Sequence, residues 1–139
     1  MTRFVLDASV SLAWYFDNVP APYALAVWDH VRLGAWPVVP SLWIFESANT
    51  LLVAERRKLL DRPSAELIVQ KFEELMAGRF DIVQSPITMR DLFEFSRSYQ
   101  LAAYDAVYLD LAIRLSLPLA TLDLSLSAAA RRAGVPLFS

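Results

Sequence analysis

The run Arg3-Phe4-Val5-Leu6-Asp7-Ala8-Ser9-Val10 sets the reading of the whole chain. Arg3 to Leu6 is a short β-favouring stretch, Asp7 ends it, and an apolar helical pattern from Val10 to Phe16 follows at once. A strand handing over directly to a helix is the repeating unit of a parallel α/β sheet. The same pattern recurs downstream. Pro20 and Pro22 break the chain before a helix over Tyr23 to Leu33, which Gly34 stops. Pro37 to Pro40 fits a short strand, and Ser41 is expected to cap a long helix reaching about Leu59. Pro63-Ser64 opens a helix to about Met76, closed by Gly78, and Phe80 to Val83 reads as a strand. Thr88 to Tyr99 and Tyr104 to Leu115 read as helices, and Leu119 to Leu122 as a strand ending in Asp123. A helix to about Arg132, Gly134 and a last strand from Val135 to Phe138 complete the chain. The expectation is an α/β fold, a three-layer α/β/α sandwich with a mainly parallel central sheet, spanning residues 1–139 as a single domain.

Composition narrows the chemistry. Of 139 residues, 56% are apolar and 20% charged, which suits a dense core and excludes a disordered or low-complexity chain. The absence of cysteine excludes a disulfide scaffold, a thiolate metal site and a cysteine nucleophile. Leu101 to Ile113 is the best candidate membrane segment, but it is too short and carries Asp105 and Asp110. Asp7 interrupts the first apolar run, so no signal peptide is read there, and a cytoplasmic location without membrane contact is expected. A net charge of −2 provides no global field for a polyanion, although arginines leave room for local phosphate contacts.

Four acids stand out. Asp7 and Asp123 end strands, and Asp105 lies in the first turn of a helix. Ligands in open parallel sheets gather beyond the carboxyl ends of the strands, so Asp7 and Asp123 face one edge if their strands are neighbours. Each aspartate taken alone is explained as well by helix capping. Glu46 is harder to dismiss, because the positions three and four residues away hold Leu42, Trp43, Asn49 and Thr50 and no cation. An unpaired carboxylate among apolar residues is costly without a compensating charge. Asn49, one turn on, is a candidate to steady it by a hydrogen bond. If the four converge, any two at ~4 Å repel by about 4 kcal/mol at an effective dielectric near 20, and the set calls for a cation. All-oxygen ligands select Mg²⁺ or Mn²⁺, whose Lewis acidity activates water and neutralises charge on a phosphoryl group.

Val5-Leu6-Asp7-Ala8-Ser9, Glu46 with Ala48-Asn49, Tyr104-Asp105-Ala106-Val107-Tyr108-Leu109 and Leu119-Ala120-Thr121-Leu122-Asp123 together resemble the PIN domain, in particular VapC-type toxins of type II toxin–antitoxin systems. The resemblance implies a Mg²⁺- or Mn²⁺-dependent endoribonuclease whose catalytic and metal-holding residues are Asp7, Glu46, Asp105 and Asp123. Ser9 and Thr121 match hydroxyl positions that hold the carboxylates or a water; helix capping and turn formation are their plainer roles. It also implies an RNA substrate, a VapB-like antitoxin and a homodimer. One departure is that many relatives carry a basic residue after the last aspartate, where this chain has Leu124-Ser125.

Two rival readings differ in class. A receiver-like Mg²⁺-binding phosphoacceptor domain shares the fold type but needs a lysine at a late strand end, and Lys58 and Lys71 are not so placed. A non-catalytic PIN-fold interaction module would use apolar surface, for which Trp14-Tyr15-Phe16 and Trp43-Ile44-Phe45 are candidates, since three consecutive helical residues cannot all face inward. His30 reads as a solvated helix residue. Arg56-Arg57-Lys58 and Arg131-Arg132 read as helix-end cations, with phosphate contacts as the alternative use.

Overall fold

The computed structural model describes residues 2–16 and 21–139; the break expected at Pro20 lies outside the described residues. Their elements run β1 (Arg3–Leu6), α1 (Ala8–Ala13), α2 (Pro22–Arg32), β2 (Trp36–Pro40), α3 (Leu42–Arg56), α4 (Arg62–Ala77), β3 (Asp81–Val83), α5 (Met89–Tyr99), α6 (Ala103–Leu115), β4 (Leu119–Ala120) and α7 (Leu124–Arg132). The strands form one sheet in the order β3-β2-β1-β4, parallel throughout and flanked by helices. This is the expected α/β/α arrangement.

Phe4, Val5 and Leu6 are fully buried, a continuous apolar run rather than an alternating one, as a central strand covered on both faces requires. Each such side chain is worth about 1.5–3 kcal/mol of burial, so the strand that delivers Asp7 is firmly anchored. Leu6 pairs with Ala120, and the Asp7 amide donates to the Ala120 carbonyl at 3.0 Å. The chain segments after β1 and β4 therefore leave the sheet side by side. Strand adjacency, on which the reading of Asp7 and Asp123 depended, is met.

Several local expectations are corrected. Val135 to Phe138 is not a strand; it makes one parallel bridge, Leu119 to Leu137, while Phe138 stacks on Phe4 with ring centroids 4.0 Å apart. That ring packing, two backbone hydrogen bonds to Leu119 and the Tyr23 hydroxyl donating to the Phe138 carbonyl at 2.7 Å hold the segment without a longer ladder. Ser41 takes the N-cap position of α3 in helical geometry and makes no side-chain cap. The long helix ends at Arg56, short of Leu59, because Lys58 turns into the left-handed region at φ 60°. The cap of α4 is Asp61, whose carboxylate accepts from the Ser64 amide at 2.7 Å. Of the two aromatic triplets, Trp43 is buried with its indole N–H donating to Ser11 Oγ at 3.0 Å, whereas Phe45 is 70% exposed. No helix among the described residues is long and apolar enough to cross a membrane.

Candidate active site

Asp7 occupies the N-cap position of α1 but makes no cap with its side chain. Its buried carboxylate instead accepts two hydroxyl protons on one oxygen, from Ser9 Oγ at 2.6 Å and Thr121 Oγ1 at 2.7 Å, both to Oδ2. Each hydroxyl is itself oriented: Ser9 Oγ accepts from the Leu122 amide at 3.1 Å, and Thr121 Oγ1 from the Asp123 amide at 3.0 Å. With an N–H occupying one lone pair, each hydroxyl has its single proton directed at the carboxylate. Burial raises the Asp7 pKa, the two hydroxyls pull it back, and the charge of Asp123 adds to the upward push.

Asp123 does act as a cap, accepting from the Leu126 amide on Oδ1 at 2.7 Å. The capping explanation thus accounts for one oxygen of Asp123 and fails for Asp7. Asp105 is half-buried in the first turn of α6, and its pKa is pushed up to about 6. Burial is the main cause, followed by the charges of Asp123, Asp7 and Glu46. The charges of all three other acids reach Asp105, so four separate segments bring their carboxylates within range of one another's charge. Among the described residues none of the four carboxylates joins an ion pair.

Glu46 accepts a hydrogen bond on Oε1 from the Tyr108 hydroxyl at 2.6 Å, not from Asn49. The reason is topological: α6 brings the fully buried Tyr108 up to α3, while the Asn49 side chain is exposed. Burial raises the Glu46 pKa, the Tyr108 bond opposes that, and Asp7 adds repulsion. Burial, with the Glu46 bond next, also raises the pKa of Tyr108, so the phenol remains a donor across the physiological range.

Two of the chain's other cations are engaged away from these acids. Arg132 donates to the Tyr99 carbonyl at 2.9 Å, satisfying the end of α5, and Lys71 lies 4.0 Å from Glu74. His30 is exposed, with its ring edge-to-face on Phe138 at 5.2 Å.

The PIN domain family model matches residues 4–132. The chain belongs to the PIN domain family. No curated protein matches it in sequence. Among solved structures it is similar to PAE2754 from Pyrobaculum aerophilum, at 22% identity and TM-score 0.68, covering 92% of this chain and 84% of that one. It is similar to FitAcB from Neisseria gonorrhoeae, at 19% identity and TM-score 0.66, covering 98% and 96%. VapBC2 from Rickettsia felis, bound to a DNA fragment from its promoter, aligns at 12% identity and TM-score 0.65, covering 99% and 98%. At these identities the likeness establishes the fold. PIN domains are generally nucleases and usually use divalent metals.

The donor chemistry fits a hard divalent cation: among the described residues the four candidate ligands are all carboxylates, three of them held by hydroxyl or amide donors, with no nitrogen or sulfur ligand among them. Among the described residues, no three acidic or histidine side chains stand close enough to hold one ion as they are. Tyr108 is the residue that inspection of the sequence passed over. Its signal was the position three after Asp105, which places both on one face of α6.

Proposed function

We propose that this PIN domain is a Mg²⁺- or Mn²⁺-dependent endoribonuclease, acting as the VapC-like toxin of a type II toxin–antitoxin pair. The observation that carries the proposal is a set of four carboxylates, from four separate segments, that lie within range of one another's charge and, among the described residues, make no ion pair. Such an arrangement lowers stability unless a ligand compensates it, and ligands that do so carry positive charge.

Asp7, Glu46, Asp105 and Asp123 would hold the cation, which when bound supplies Lewis acidity that activates water and neutralises charge on the phosphoryl group. The chain's own part is positioning. Ser9 and Thr121 fix Asp7 Oδ2. Tyr108 fixes Glu46 Oε1, and the Leu126 amide fixes Asp123 Oδ1. Asp105, which has a raised pKa, is the acid whose charge state responds most to what enters the cleft. A VapB-like antitoxin would silence the site by covering the cleft and presenting a cation to it. Exposed apolar side chains such as Leu33, Leu59 and Met89 give the chain surface for that partner and for a second copy.

Incubation with total cellular RNA tests the reading. Cleavage should require Mg²⁺ or Mn²⁺, stop with EDTA and return when the ion is restored. Cleavage that continues in chelator would exclude the metal-dependent mechanism.

A further inference from the structure

We propose that the groove beside Glu46 is a nucleobase subsite, in which Phe45 and Tyr104 take an unpaired base of the RNA between them. This rests on the nuclease reading and deepens it by naming the side chains that would hold a base.

Phe45 is 70% exposed on α3, and Tyr104 is 64% exposed at the start of α6. Each directly precedes an acid of the cleft, Glu46 and Asp105 respectively. The two rings come from different helices yet line one open groove of about 400 Å³, together with Leu42, Glu46, Asn49 and Thr50. Glu46 belongs to both the groove and the acidic cluster, so an occupant of the groove lies next to the proposed scissile position.

The lining selects the chemistry of that occupant. No lysine or arginine faces the groove, and Leu124, which follows Asp123, is 86% exposed and carries no charge. A phosphate has nothing to pair with there. A base, by contrast, is uncharged, has two π-faces for the rings, and offers edge donors and acceptors that Asn49, Thr50 and Glu46 match. Bases in a duplex have their faces occupied by their neighbours, so the groove accepts only an unstacked one.

Fluorescence anisotropy with a fluorescein-labelled single-stranded oligoribonucleotide, in Ca²⁺ and checked on a gel to be uncut, tests the subsite. Phe45→Leu and Tyr104→Leu should each weaken binding about tenfold or more, while Tyr104→Phe retains wild-type affinity. A duplex of the same sequence should bind more weakly and respond to neither variant. Both rings are exposed, so the variants should keep the wild-type melting temperature. Wild-type affinity in both leucine variants overturns the subsite, as does a wild-type protein that does not bind single-stranded RNA. Loss of self-association or of antitoxin binding in the variants, with RNA affinity unchanged, makes the face a protein interface and overturns it too. Ring-dependent binding without cleavage in Mg²⁺ or Mn²⁺ sinks the nuclease reading alone. Cleavage with ring-independent binding sinks the subsite alone.

Discussion

The two sides of the acidic cleft are built differently. On the sheet side, Asp7 follows β1 directly, while Asp123 stands three residues past β4, which ends at Ala120 rather than at the expected Leu122. The two are tied together by Ser9 and Thr121, whose hydroxyls each accept a backbone amide and donate to Asp7. On the helix side, Glu46 has one hydrogen bond from Tyr108, and Asp105 is held mainly by its place in α6, with its pKa pushed up to about 6. The first side is organised before any ligand arrives. The second side carries the unrelieved repulsion and is where a cation or a proton has most to do. The contrast suggests a division of labour in which one wall sets geometry and the other responds to charge.

Replacing Asp7 tests that contrast most severely. Asp7→Asn keeps the shape and leaves a carbonyl to accept the two hydroxyls, but removes a negative charge from the rigid wall. Loss of an outer-shell partner of a metal ligand commonly costs 10–100-fold, so loss of the ligand charge itself should exceed about 100-fold in RNA cleavage. The metal-free melting temperature should hold or rise, because Asp123 repels Asp7 in the native state. Since Asp7 makes no side-chain cap, a marked fall in melting temperature would show that its carboxylate has a structural role instead.

Thr121→Val probes the same wall from behind. The change leaves the Asp123 amide without its acceptor and takes one of the two protons from Asp7 Oδ2. A stability loss of about 1–3 kcal/mol is expected by chemical denaturation, with cleavage reduced about 10–100-fold. Ser9→Ala should act in the same direction but less strongly, since Ser9 is half-buried and Thr121 is buried. Equal activity in Thr121→Val and wild type would mean that the hydroxyl network serves the fold only.

How far the sequence disclosed this division follows from what each residue depends on. Asp7 and Asp123 were legible because strand ends and helix starts leave local marks, and only the adjacency of β1 and β4 had to come from the structure. Glu46 was legible by elimination, as a carboxylate without a cation one turn away. The Tyr108 bond was not, because a tyrosine in an apolar helix reads as core, and its partner lies 62 residues away on an element whose position depends on the strand order. Val135 to Phe138 failed for the opposite reason. Its β-favouring residues looked like a strand, while ring stacking against Phe4, a single bridge and the Tyr23 bond are what hold it.

The helix wall should show itself in the pH dependence of the metal-free protein. The native pKa of Asp105, about 6, lies above its ordinary value of 3.8, so the folded state takes up its proton more readily than the unfolded state. The resulting contribution to stability is fully present below about pH 3.8 and is lost as pH rises through about 6. Over that interval the metal-free protein should lose about 1–2 kcal/mol from this residue, after allowance for its partial exposure to solvent. Thermal melts in EDTA between pH 4 and 7.5 would measure the slope, and Asp105→Asn should flatten it. Saturating Mg²⁺ should flatten it as well, because a bound cation favours the ionised carboxylate. An unchanged slope in Asp105→Asn would move the electrostatic burden to Glu46.

Tyr108→Phe is the smallest change and separates the two walls most finely. It removes one hydroxyl from a fully buried ring and leaves the packing of α6 in place. Glu46 is half-buried, so water can take up its freed oxygen, and the stability cost should be near 1 kcal/mol. Because the Tyr108 bond holds the Glu46 pKa down, its removal should raise that pKa further and shift the acid limb of the cleavage pH profile upward. Apparent Mg²⁺ affinity should fall about tenfold, with little change in cleavage at saturating ion, since the remaining bonds around Asp7 and Asp123 still set the geometry. If Tyr108→Phe instead lowered cleavage at saturating Mg²⁺ as much as Thr121→Val does, the helix wall would be setting geometry too, and the proposed division between the walls would fail.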